Sequence, residues 1–210
     1  MLKKFKIPKS IIYLLGLAIF LNILRIILFG NTSFLYIIWN IFLASVSFII
    51  SLFLLQRTNK GNIVKPVFII SFVFWFLFLP NAPYVITDFI HLGRFRAVPP
   101  MYDMFLLFTS ASVSLLMGLH SMVHMEKMLL LKFRSRIVEI IMIAIILFTS
   151  FGVYLGRYLR FNSWDFFISR NSLITSIWKT LTLSNDYANV YGYTFLFFVF
   201  IYVSYRAFKE

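Results

Sequence analysis

The chain has 210 residues, of which 61% are hydrophobic and 13% charged, and it contains no cysteine. Ordinary soluble domains carry about 25% charged residues and bury only about two-thirds of their surface, so a fold of this size cannot hide so much apolar surface in water. A net charge of +13 would suit nucleic acid if it covered one soluble face; here Lys and Arg fall in short runs between apolar stretches. Those facts exclude a soluble enzyme, a disordered tail, a disulfide scaffold and a nucleic-acid binder.

In chain order, the N-terminal MLKKFKIPKS precedes an apolar run over 11–29. That run exceeds the 7–15 residues or so of a signal peptide core and no small-residue cleavage site follows Gly30, so a retained first helix is expected. Further apolar stretches cover 34–55, 63–79, 101–119, 137–155 and 190–205. Each approaches the ~20 residues that cross a bilayer. Backbone amides in hydrocarbon must pair within their own segment, and the runs lack the period-two alternation of a barrel. The expectation is a single all-α, polytopic membrane domain with six transmembrane helices. Between the last two, 164–182 places Phe166, Phe167, Leu173, Ile174, Ile177, Trp178 and Leu181 at helical spacing opposite Ser169, Arg170 and Ser176. This half-apolar pattern predicts a helix lying in the interface.

Orientation follows the distribution of Lys and Arg. With the N-terminus in the cytoplasm, 13 of the 20 basic residues fall inside and 6 outside, Arg25 lying within the first helix. Both termini are then cytoplasmic in a multi-pass cell-membrane protein. Arg25 stands near the outer end of its helix, where its side chain would reach lipid headgroups. Asp88, Asp103, Asp165 and Asp186 fall outside with His91; Glu126, Glu139 and Glu210 fall inside with His120 and His124.

Two segments on the expected outer face carry the polar chemistry. The first is LPNAPYVITDFIHL, residues 79–92. Pro80 and Pro83 lack amide protons and would end the third helix at the outer interface. Thr87 or Asp88 would then cap a short helix closed by Gly93. Asp88 and His91, three apart, would share a face. That spacing suits a carboxylate orienting an imidazole or two ligands of one metal, and equally a cap beside an interfacial histidine. The second segment is GRYLRFNSWD, residues 156–165. Arg157 and Arg160 would share a face and clamp a phosphate or carboxylate, unless they only snorkel beside Tyr158 and Trp164. His120 and His124 stand four apart near Glu126, which without a third convergent ligand is no metal site.

These two strings resemble the bacterial integral membrane proteins grouped as domain-of-unknown-function family 1361. The resemblance runs from about the second helix to the C-terminus, on Pro80, Asn81, Pro83, Tyr84, Thr87, Asp88, His91, Arg157, Arg160, Asn162, Ser163, Trp164 and Asp165. It implies a bacterial membrane protein and supplies no reaction. The residues point to one extracytoplasmic pocket in which the two segments converge. In it Asp88, His91 and Asp165 are the catalytic candidates. Arg157, Arg160, Asn81, Asn162, Trp164 and Asp103 are candidates for binding an anionic lipid-linked or envelope substrate, with no metal and no cofactor assigned. Two other classes stay open. One is a non-catalytic partner of another membrane protein; the other is a small-solute transporter, disfavoured by the scarcity of ionisable residues within the apolar stretches.

Overall fold

In a computed structural model the chain is 86% helical, with no strand among the described residues. The structure describes residues 7–59, 64–94, 97–161, 163, 168, 170–182 and 187–210. The helices are α1 (Lys9–Phe29), α2 (Leu35–Asn59), α3 (Lys65–Phe78), α4 (Asn81–Tyr84), a 3-10 helix (Val85–His91), α5 (Pro100–Leu130), α6 (Ser135–Tyr158), α7 (Arg170–Thr182) and α8 (Tyr187–Lys209). Six segments are long and apolar enough to cross a membrane: Lys9–Phe29, Leu35–Thr58, Lys65–His91, Pro100–Leu130, Ser135–Tyr158 and Val190–Lys209. The protein is therefore an all-helical, multi-pass membrane protein. The 13-residue α7 is not among the six spans. The residues expected to open it, 164–167, lie outside the described residues.

The chain divides into two compact units, Met1–Met125 and Glu126–Glu210. In the first, α5 supplies Leu106, Leu107, Val113 and Met117 to a core shared with Ile11 and Ala18 of α1, Ile37, Ile41, Ala44 and Phe48 of α2, and Ala82 of α4. Helix α2 packs on α3, α4 and the 3-10 helix. In the second unit α6 packs along α8, with Tyr158 meeting Tyr193 edge-on at 4.8 Å between ring centroids.

The third span departs from the sequence reading in an informative way. Pro80 and Pro83 do not end it. They sit before and within α4 in backbone that is helical on both sides, so each missing amide proton takes a donor from the preceding turn, yet helical backbone runs on to His91. The carbonyls that the break exposes find other donors, as apolar surroundings require. Leu79 O accepts from the Ala82 amide at 3.1 Å, Phe78 O from Asn81 Nδ2 at 2.9 Å, and Tyr84 O from Thr87 Oγ1 at 2.7 Å. Neither Thr87 nor Asp88 caps a helix start, because the chain is already helical before them. Gly93, with φ of 75°, does follow the segment's end. The break also lies deep. A Cβ on Gly118 would stand 2.6 Å from Ala82 Cβ, and Gly118 is about 22 Å further along α5 than Asp103. The prolines therefore do not open room at a helix end.

Candidate functional site

The 3-10 helix Val85–His91 has about three residues per turn, so Asp88 and His91 stand one above the other. Asp88 is only 1% exposed, and an ionised carboxylate so placed needs donors. Asn40 of α2 supplies one, Nδ2 donating to Asp88 Oδ2 at 2.9 Å. His91 is half-buried, its ring edge-on to Tyr36 of α2 at 5.9 Å. Arg94 Nη1 stands 3.4 Å from His91 Nδ1. A guanidinium has no acceptor, so Nδ1 accepts and the ring proton of the neutral imidazole sits on Nε2. The result is a buried carboxylate on the 3-10 helix, held by Asn40 of α2, one turn from an imidazole and guanidinium that reach the edge of the unit.

Asp103 sits elsewhere in the same unit, and its partner is Arg25. Arg25 Nε and Nη2 donate to the two Asp103 oxygens at 2.8 and 3.2 Å. Arg25 Nη1 donates to Asn31 O and Oδ1 at 3.0 and 2.7 Å, and its guanidinium covers the Phe34 ring at 4.3 Å. Arg25 is 1% exposed and Asp103 is fully buried. Arg25 thus does not reach the headgroups. The carboxylate of α5 offers a fully paired alternative, and the planar fork suits it in both charge and shape. Nearby, Tyr102 donates to Leu21 O at 2.7 Å, so three polar contacts clamp α1 to the start of α5.

Asn81 spends its amide on Phe78 O within the helix break. In the second unit Arg157 closes the last turn of α6 and is half-buried. Arg160 lies past the helix end, exposed, with φ of 57°. The two therefore do not share a helical face: the chain reverses at Arg160, and the Phe161 amide turns back to Leu155 O at 3.3 Å. A non-glycine residue in that left-handed region is uncommon. Asn162, Trp164 and Asp165 lie outside the described residues. His124 Nδ1 is 3.1 Å from Ser51 Oγ and its ring stacks on Phe48. No group of three or more metal-ligating side chains occurs among the described residues.

Residues 39–203 match a family model described as "Protein of unknown function (DUF1361)". The chain belongs to the DUF1361 family. No curated protein and no solved structure matches it. The DUF1361 match contains Asn40, Asp88, His91, Asp103, Arg157 and Arg160, whereas Arg25 and Asn31 precede it. Sequence reasoning overlooked Asn40, Tyr36 and Arg94. Asn40 carried a usable signal, as a polar side chain within an apolar span.

Proposed function

We propose that this DUF1361 protein uses the α2 and 3-10 helix site, on the extracytoplasmic side, to hold the anionic group of a lipid-linked or envelope substrate. Arg94 and the Nε2 proton of His91 are the donors to that group, while Asp88, anchored by Asn40, fixes the segment that carries them. The observation that supports this reading is the 3.4 Å contact of Arg94 with His91 Nδ1, because it turns both side chains into donors. In that tautomer His91 donates to a bound oxygen rather than removing a proton, so the site favours binding over base catalysis. Arg157 and Arg160 are proposed as further anion-binding residues, together with Asn162, Trp164 and Asp165.

Binding of a fluorescent polyprenyl phosphate to the purified protein tests this. Arg94→Gln and His91→Ala each weaken binding about tenfold, the loss expected for one hydrogen bond to a charged group, while melting is unchanged. Wild-type binding by both variants would overturn the reading. Orientation is tested separately, since the chain has no cysteine: Arg94→Cys reacts with an impermeant maleimide added outside intact cells.

A transporter is the second reading. It is favoured by a helix broken at Pro80–Pro83 and by a buried carboxylate, Asp88, within the same apolar span, the features that mark transport sites. Proteoliposomes in which Asp88→Asn abolishes a proton flux would support it over substrate binding.

A further inference from the structure

The second unit contains a cleft of about 260 Å³ between the start of α6 and the end of α8. Its volume is slightly below the ~300 Å³ at which pockets for drug-sized ligands begin. Two ion pairs rim it: Arg206 Nη1 to Glu139 Oε1 at 3.3 Å, and Lys209 Nζ to Glu126 Oε1 at 2.5 Å. The Glu126 side chain is 9% exposed, while Lys209, Arg206 and Glu139 are 46%, 51% and 56% exposed. Ser135, the first residue of α6, also lines the cleft, and no side chain caps that helix. The Ile137 and Val138 amides are taken by Arg134 O, but the helix dipole still favours an anion there. Its floor includes Met142 and Ile146, which are buried, and Ile143, which is exposed. From Glu139 to Ile146 the cleft descends about 10 Å along α6, from a charged rim into a membrane-spanning segment.

The geometry points to this cleft as a binding site for the headgroup of a zwitterionic phospholipid with a primary ammonium, the phosphoethanolamine class. The phosphodiester lies against Arg206 and the first turn of α6. The ammonium donates to Glu139 and Glu126, and the glycerol and first acyl methylenes lie against Ile143, the exposed part of the floor. Charge accounting selects this class. A zwitterion replaces the exposed Arg206–Glu139 pair by two pairs across the interface without leaving either side chain unpaired. A purely anionic headgroup takes Arg206 and leaves Glu139 without a cation. A quaternary ammonium has no N–H to donate to either carboxylate. The site uses none of the residues assigned to substrate binding, so the two readings stand or fall apart.

The test is native mass spectrometry of the full chain in mild detergent, with equal amounts of phosphatidylethanolamine, phosphatidylcholine and phosphatidylglycerol. One phosphatidylethanolamine is retained about tenfold over the other two, the discrimination expected from one charge-assisted hydrogen bond. Glu139→Gln reduces its retention to the level of phosphatidylcholine. Ile143→Trp fills the floor, leaves every charge in place and reduces retention of all three, so it decides the matter if the Glu139 variant fails to fold. Equal retention of the three lipids, preference for phosphatidylglycerol, or unchanged retention in Ile143→Trp would overturn the assignment.

Discussion

The two units hold their charges in opposite ways. In the first, Arg25 and Asp103 are 1% and 0% exposed and meet through two hydrogen bonds; in the second, Arg206 and Glu139 are about half exposed and meet through one. Proximity alone therefore says little about what an ion pair contributes. Taking a charge out of water costs several kcal/mol, so a buried pair matters chiefly because neither partner tolerates loss of the other. The largest predicted effect follows. Arg25→Met or Asp103→Leu alone lowers stability by about 3–5 kcal/mol, read from denaturant or thermal unfolding in detergent. The double substitution recovers most of that loss, because both desolvated charges have gone. A double variant no better than either single one would show that the clamp's value lies in the pair itself.

Next come two contacts that hold the broken third span. Asn40→Ala removes a donor from the buried Asp88 carboxylate and costs about 1.5–3 kcal/mol, the range for hydrogen bonds to charged groups. Gly118→Ala places a methyl 2.6 Å from Ala82 Cβ. Neither atom is the end of a flexible chain, so backbone must move, at about 1–3 kcal/mol. Ala82→Gly relieves that clash, and a double-mutant cycle should show the two substitutions coupled by at least ~0.5 kcal/mol. Additive effects would place the break away from α5.

What the sequence made legible was set by composition and local period. Long apolar runs allow only helices in hydrocarbon, so the all-helical class and the six spans were readable, and the strings around Asp88 and Arg157 identified the family. What it hid depends on long-range pairing or on the backbone. Arg25 and Asp103 are 78 residues apart, and nothing local distinguishes a snorkelling arginine from one that finds a carboxylate. Proline was read as a stop, although at Pro80 and Pro83 the backbone stays helical and Leu79 O, which loses its donor to Pro83, accepts from the Ala82 amide instead. Arg157 and Arg160 were placed on one face by counting residues, and that count fails once α6 ends at Tyr158 and Arg160 turns left-handed. Of the site, the Asp88 and His91 stacking was readable from spacing. Asn40 showed only as a polar residue in an apolar span, and its contact with Asp88, like that of Tyr36 with His91, comes from α2 packing.

The smallest predicted effect is the one that most sharpens the contrast between the units. Arg206→Gln removes a guanidinium that is 51% exposed, held by a single 3.3 Å contact to a carboxylate that is 56% exposed. Water solvates both partners, and ordering two long side chains offsets much of the attraction, so the expected cost is about 0–1 kcal/mol. Part of even that belongs to the α8 C-terminus, whose dipole favours a cation in the last turn. The difference should vanish near 1 M salt, where the screening length falls to about 3 Å, whereas the Arg25–Asp103 penalty should persist because salt does not enter the core. Lys209–Glu126 is the intermediate case, with one partner 46% and the other 9% exposed. Lys209→Gln leaves a nearly buried carboxylate without its cation and should cost more than Arg206→Gln. Measuring both in lipid-free detergent and again with phosphatidylethanolamine completes the comparison. A bound headgroup would exclude water from the rim and raise the cost of losing Arg206, while leaving the Arg25 variants unaffected.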